Sequence, residues 1–124
     1  MRELTKMEID ALFQLFLNRE WMKAVEWWKA REESESIHNL AIGFEARARE
    51  AARHGWAQNA IRMYCLAGFC GELAWWLNRT PGISTVQIAA RCYREASCIF
   101  RELPSGATFE EGKEVKEKLR NILS

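Results

Sequence analysis

The sequence predicts an all-α fold: a single-domain bundle of five to seven helices in antiparallel helix–turn–helix hairpins. Three observations carry this. Apolar residues recur at helical spacing along nearly the whole chain, and no segment alternates apolar and polar residues as a strand would. Only two prolines and seven glycines occur in 124 residues, and the clearest of them sit between periodic segments. The tetrapeptides Thr5-Lys6-Met7-Glu8 and Thr108-Phe109-Glu110-Glu111 both fit the capping-box pattern of a helix start. No shift in composition divides the chain, so residues 1–124 are read as one domain.

The first helix follows from the Thr5 box and the stripe Ile9, Leu12, Phe13, Phe16 and Leu17. Asn18-Arg19 is its turn, with Asn18 expected in the left-handed conformation. A second helix, from about Glu20 to Glu33, aligns Trp21, Ala24, Val25 and Trp28, with Trp27 about 100° off that face. The third spans about Ser36 to His54, on Ile37, Leu40, Ala41, Phe44, Ala48 and Ala51, and stops at Gly55. A fourth follows from Trp56 to Phe69. Gly68 and Gly71 are expected to break it, leaving a short helix from Glu72 to Asn78 that Thr80-Pro81-Gly82 ends. Ser84 or Thr85 then caps a helix running to Leu103 ahead of Pro104, with Val86, Ala89, Ala90, Tyr93, Ser97 and Phe100 as its core stripe. The Thr108 box opens the last helix, which carries Val115, Leu119 and Ile122. Trp28, Phe44 and Tyr64 are the expected buried anchors of the first two hairpins.

A spacing of 36 residues links Ala24, Ala60 and Ala96, and also Trp28, Tyr64 and Phe100. Around the third and fourth helices the series Phe44, Ala48, Ala51, Gly55, Ala60, Ile61, Tyr64, Ala67 resembles the tetratricopeptide helix–turn–helix. The likeness covers residues 44–67 and, more loosely, 8–31. It departs from the family pattern in lacking a proline after the second helix, in Arg31, and in having no turn near Arg91. Ordinary antiparallel helix pairs with matching size constraints fit the same residues. Gly55, Ala60, Tyr64 and Ala67 also resemble half of the pattern of the small ANR and PerC-type transcription regulators, with Trp76 and Arg79 at shifted spacing in the other half. Either resemblance implies a protein that acts by binding another protein.

Composition removes other classes. Formal charge is +1, from 18 basic and 17 acidic residues, which offers no general attraction to a phosphate backbone. The longest uncharged run, Thr80 to Ala90, falls short of the roughly 20 apolar residues of a membrane span. Glu3, Glu8 and Asp10 interrupt the first residues, which do not read as a signal peptide, so a cytoplasmic location is expected. Cys65, Cys70, Cys92 and Cys98 are then expected as free thiols. Their spacings match no zinc motif, so no metal is expected. A nucleophile built from Cys65 or Cys70 with His38 or His54 would sit on helix bodies with no oxyanion-hole loop. Gly68 and Gly71 lack the strand and the lysine of a phosphate loop. No cofactor is implied.

The expected function is therefore non-enzymatic: a protein-binding module acting as a small regulator, adaptor or inhibitor, of a kind that a phage or plasmid can encode. The alternative is a helical nucleic-acid-binding transcription regulator. Six tryptophans are the unusual count, and they include the doublets Trp27-Trp28 and Trp75-Trp76. Neighbours on a helix point about 100° apart, so one ring of each doublet should escape the core, and exposed tryptophan favours interfaces. Arg49 and Arg53 share a helix face and could grip carboxylates, or instead pair with Glu45 and Glu50 in solvent. The candidate protein-binding residues are thus Trp27, Trp75, Arg49 and Arg53.

Overall fold

A computed structural model describes residues 4–29, 37–78 and 83–123. It contains six helices and no strand among those residues: α1 (Lys6–Leu17), α2 (Trp21–Lys29), α3 (Ile37–Arg53), α4 (Ala57–Asn78), α5 (Ile83–Glu102) and α6 (Lys113–Leu123). The all-α expectation holds. The expected end of the second helix at Glu33, the start of the third at Ser36 and the Thr80-Pro81-Gly82 loop lie outside the described residues.

Helix α4 organises the bundle. From Met63 to Gly71 it carries no charged residue, and every residue of that stretch is buried. A helix that is apolar all round must be covered all round. Helices α3 and α5 flank it along its length, and α1 and α2 close the remaining sides. Fully burying a Leu, Ile or Phe side chain contributes about 1.5–3 kcal/mol, and α4 supplies Ile61, Leu66, Phe69 and Leu73 to the core. The expected break at Gly68 and Gly71 is corrected: α4 runs through both as one helix. Gly68 is where the Tyr93 ring of α5 presses against the backbone, so close that an added Cβ would lie 2.6 Å from Tyr93 Cε1. The missing side chain marks a helix crossing, not a helix end.

Local signals at the other ends resolve in different ways. The Thr5 box forms, with Thr5 N–H donating to Glu8 Oε1 at 2.9 Å and Glu8 N–H to Thr5 Oγ1 at 3.2 Å. The α1–α2 turn places Arg19, not Asn18, in the left-handed region, at φ 55°. Its guanidinium lies over the Trp21 ring, 4.7 Å from the centroid, and this contact helps hold that backbone. Gly55, at φ 75°, turns α3 into α4 as expected. Helix α5 runs from Ile83, so Ser84 and Thr85 stand inside it rather than ahead of it.

The Thr108 box does not open α6. Phe109 is buried and stacks on Phe100, Gln58 donates to the Thr108 carbonyl, and Glu111 pairs with Arg62 at 3.0 Å. These contacts pin an irregular segment, and α6 begins only after Gly112, at φ 109°.

The 36-residue spacing has a packing counterpart. Ala24, Ala60 and Ala96 are all fully buried, on α2, α4 and α5. Tyr64 and Phe44 are buried as expected, whereas Trp28 is only partly buried at the edge of the core. An aromatic cluster ties four helices together. Phe16 of α1 packs edge-on against Phe69 and is stacked on Tyr93, and Trp21 of α2 lies 4.6 Å from Phe69. Among the described residues no helix is long and apolar enough to cross a membrane.

Candidate interaction groove

Helices α4 and α5 run antiparallel. Gly68 meets Tyr93, while Trp75 and Trp76 further along α4 lie beside Val86 and Ala89 nearer the start of α5. Toward the end of α4 the two helices leave an open groove of about 420 Å³ between Trp75, Trp76, Val86, Ala89, Ala90 and Tyr93, with Gly71 and Glu72 completing its lining. Both indoles are exposed, Trp75 at 37% and Trp76 at 52%, and Val86 also stands at 52%. The indoles meet edge to face, 4.9 Å between centroids and 84° between planes.

This arrangement corrects the expected core stripe of α5. Its buried face is Ile88, Ala89, Cys92 and Ala96, while Val86 and Ala90 are exposed. Val86 and Ala90, assigned to the core, thus stand with Ala89 and Tyr93 along one wall of the groove. The doublet expectation is also revised. Trp27 and Trp28 are both partly buried against the core, their rings 6.4 Å apart, whereas both members of the second doublet reach the surface. Trp76, Val86, Tyr93 and Glu72 were not among the candidates. The available signal was a surplus of apolar positions on α5 next to a tryptophan doublet.

Glu72 is the only charged residue among the described lining residues. Its Oε2 accepts a hydrogen bond from the Tyr93 hydroxyl. Burial pushes its pKa above the ordinary carboxylate value. The Tyr93 hydrogen bond and the Arg19 charge oppose that shift without cancelling it. Tyr93 is itself held well above the usual phenol range, by burial first and then by the Glu72 charge and hydrogen bond.

Arg49 and Arg53 are elsewhere. Arg53, near the Gly55 turn, pairs with Glu50 at 2.6 Å, and Arg49 approaches Glu45 at 3.5 Å. From Ala57 to Trp75 the α4 axis rises roughly 27 Å, so Arg53 and Trp75 lie toward opposite ends of the α3–α4 hairpin. Arg53 and Trp75 therefore do not share one surface.

Glu45 is itself buried, at 4% exposure, in contrast to the solvated partner expected for Arg49. Arg91 of α5 grips it with both arms, Nε to Oε2 at 2.5 Å and Nη2 to Oε1 at 2.7 Å, and Cys92 Sγ lies 3.4 Å from Oε2. The Arg91 hydrogen bonds hold the Glu45 carboxyl below its ordinary pKa despite burial. Burial, with Glu45 nearby, pushes the Cys92 thiol up to about 12, and burial alone raises Cys70 further still. Cys65, Cys70 and Cys92 are thus buried and unreactive in character, and Cys98 is exposed. Among the described residues no three His, Cys, Asp or Glu side chains converge as metal ligands would.

Comparison of the chain with protein-family models, curated sequences and solved structures finds no match.

Proposed function

We propose that the chain is a non-enzymatic protein-binding module, a small regulator, adaptor or inhibitor that works in the reducing cytoplasm and docks its partner in the α4–α5 groove. The observation that carries this is the pairing of two exposed indoles with an exposed Val86 around one concavity. Tryptophan anchors are enriched among residues that dominate binding energy, and contiguous apolar surface on a folded chain marks an interaction site. Met7, Met22 and Trp56 are exposed too, but Trp56 is stacked on His54, and none of the three lines this groove. The resemblance of residues 44–67 to tetratricopeptide and regulator hairpins points the same way.

The experiment is a comparative capture from native lysate with three baits: the wild type, Trp76→Ala and Arg53→Ala. A protein held by the wild type and by Arg53→Ala, but lost with Trp76→Ala, is the expected partner. In a titration with that protein, Trp76→Ala should weaken affinity about 30-fold, equivalent to about 2 kcal/mol. A partner retained by Trp76→Ala overturns the groove assignment. Binding to nucleic acid that falls steeply with added salt would favour the transcription-regulator alternative.

A further inference from the structure

Resting on that reading, we infer that the groove receives the ammonium head of a lysine side chain presented by the partner protein, seated between the Trp75 and Trp76 rings and the carboxylate of Glu72.

Ring geometry is the first argument. With their planes at 84° and centroids 4.9 Å apart, the indoles meet edge to face, and both lend π faces to the groove lining. Those faces carry the negative part of the ring quadrupole, and indole attracts a cation more strongly than the other aromatic side chains do. Charge is the second. Glu72 is the single charged group on the described lining, so the groove has one sign. An apolar side chain filling the space would shut this carboxylate away from water with a phenol as its hydrogen-bond partner and only the through-space charge of Arg19 to offset desolvation, and an under-compensated buried charge is costly. A cation removes that cost.

The third argument selects lysine over arginine. A guanidinium pairs best with both oxygens of a carboxylate in a planar fork. Here Oε2 of Glu72 already accepts the Tyr93 hydroxyl, which leaves Oε1 for a ligand. A single oxygen suits a compact point charge. The rest of the site suits the lysine stem: Val86, Ala89 and Ala90 make an apolar wall along which four methylenes can lie while the charged tip reaches the carboxylate.

The test uses the full chain and three small probes: the N-acetyl methylamides of lysine, norleucine and arginine. The readout is the set of indole N–H resonances, with those of Trp75 and Trp76 assigned by Trp→Phe substitution. The lysine probe should shift both resonances saturably. The norleucine and arginine probes should act at least fivefold more weakly, and Glu72→Gln should reduce the lysine response at least fivefold. The other four indole resonances report whether that variant keeps its fold. A norleucine response equal to that of lysine overturns the inference and leaves an apolar docking groove, with the proposed function intact. No response to lysine overturns it as well. Retention of the captured partner by Trp76→Ala is the separate result that overturns the proposed function.

Discussion

Glu45 and Glu72 both reach α5, one from α3 and the other from α4, and their carboxyl groups are displaced in opposite directions. Glu45 is 4% exposed, and its pKa is lowered because Arg91 supplies a two-armed charged partner whose hydrogen bonds outweigh desolvation. The Glu72 pKa is raised by burial, and the hydrogen bond from the neutral Tyr93 phenol and the charge of Arg19 lower it too little to cancel that. The direction is set by whether the partners outweigh desolvation: a two-armed cation does, a phenol does not. The first carboxylate is satisfied within the fold and locks α3 to α5. The second keeps part of its desolvation cost uncompensated beside an open groove, as a site awaiting a ligand does.

The largest effect should come from breaking the satisfied pair. Arg91→Ala leaves a buried carboxylate with only the more distant Arg49 and a thiol around it. Removing one partner of a buried pair costs about 3 kcal/mol, and chemical denaturation at neutral pH should show it. The loss should depend on pH. A lowered pKa makes the Glu45 contribution fully present above the ordinary carboxylate value near 4.5 and lost as pH falls through the folded value. Wild type and Arg91→Ala should therefore converge in stability on acidification. The groove indoles should respond to the lysine probe as before.

Gly68→Ala should come next and couple the backbone to the groove. Alanine is the better helix former by about 1 kcal/mol, so an open helix would gain from the change. Here the new methyl would lie 2.6–2.9 Å from three atoms of the Tyr93 ring. That ring is backed by Phe16 and held by its hydroxyl to Glu72, so it has little room to retreat. Overpacking of this kind costs about 2 kcal/mol, and a net loss in denaturation midpoint is expected. A gain would mean that Tyr93 moves freely, and the Glu72 environment would then be far softer than its geometry implies.

What the sequence made legible divides along the same line. The Thr5 cap and the Gly55 turn are local signals, decided within a few residues, and both form. The all-helix pattern was equally plain. Gly68 and the α5 stripe failed because their meaning lies across a helix interface. Nothing near Gly68 announces Tyr93, 25 residues later, and local propensity reads a glycine there as a break. Val86, Ala89, Ala90 and Tyr93 do form a helical stripe, but the buried face of α5 is turned from it toward Ile88, Ala89, Cys92 and Ala96, which leaves Val86 and Ala90 exposed. Glu45 looked like a surface partner for Arg49 because its true partner is 46 residues away. The groove was half visible: Trp75 was a candidate, but the argument that one ring of a doublet must be buried missed that α4 ends with both at the surface.

The smallest effect is the sharpest test of the contrast. Glu72→Gln keeps an oxygen that can accept the Tyr93 hydroxyl and removes the charge. A raised folded pKa means that the folded state prefers the protonated carboxyl, so ionisation penalises folding above the raised value, and the penalty vanishes below the ordinary value near 4.5. The variant should therefore be more stable than wild type by on the order of 1 kcal/mol at neutral pH, and the gain should disappear as pH falls toward 4. The groups facing this carboxyl are Tyr93 from α5 and Arg19 from the α1–α2 turn, and the Tyr93 phenol is held well above that range, so the trend is assigned to Glu72. Glu45→Gln should do the reverse, losing stability at neutral pH because Arg91 then faces an uncharged amide. If Glu72→Gln gains stability while losing the lysine response, the charge is kept for binding at the expense of the fold. If it instead loses stability at neutral pH, Glu72 is a structural partner like Glu45, and the distinction between the two carboxylates collapses.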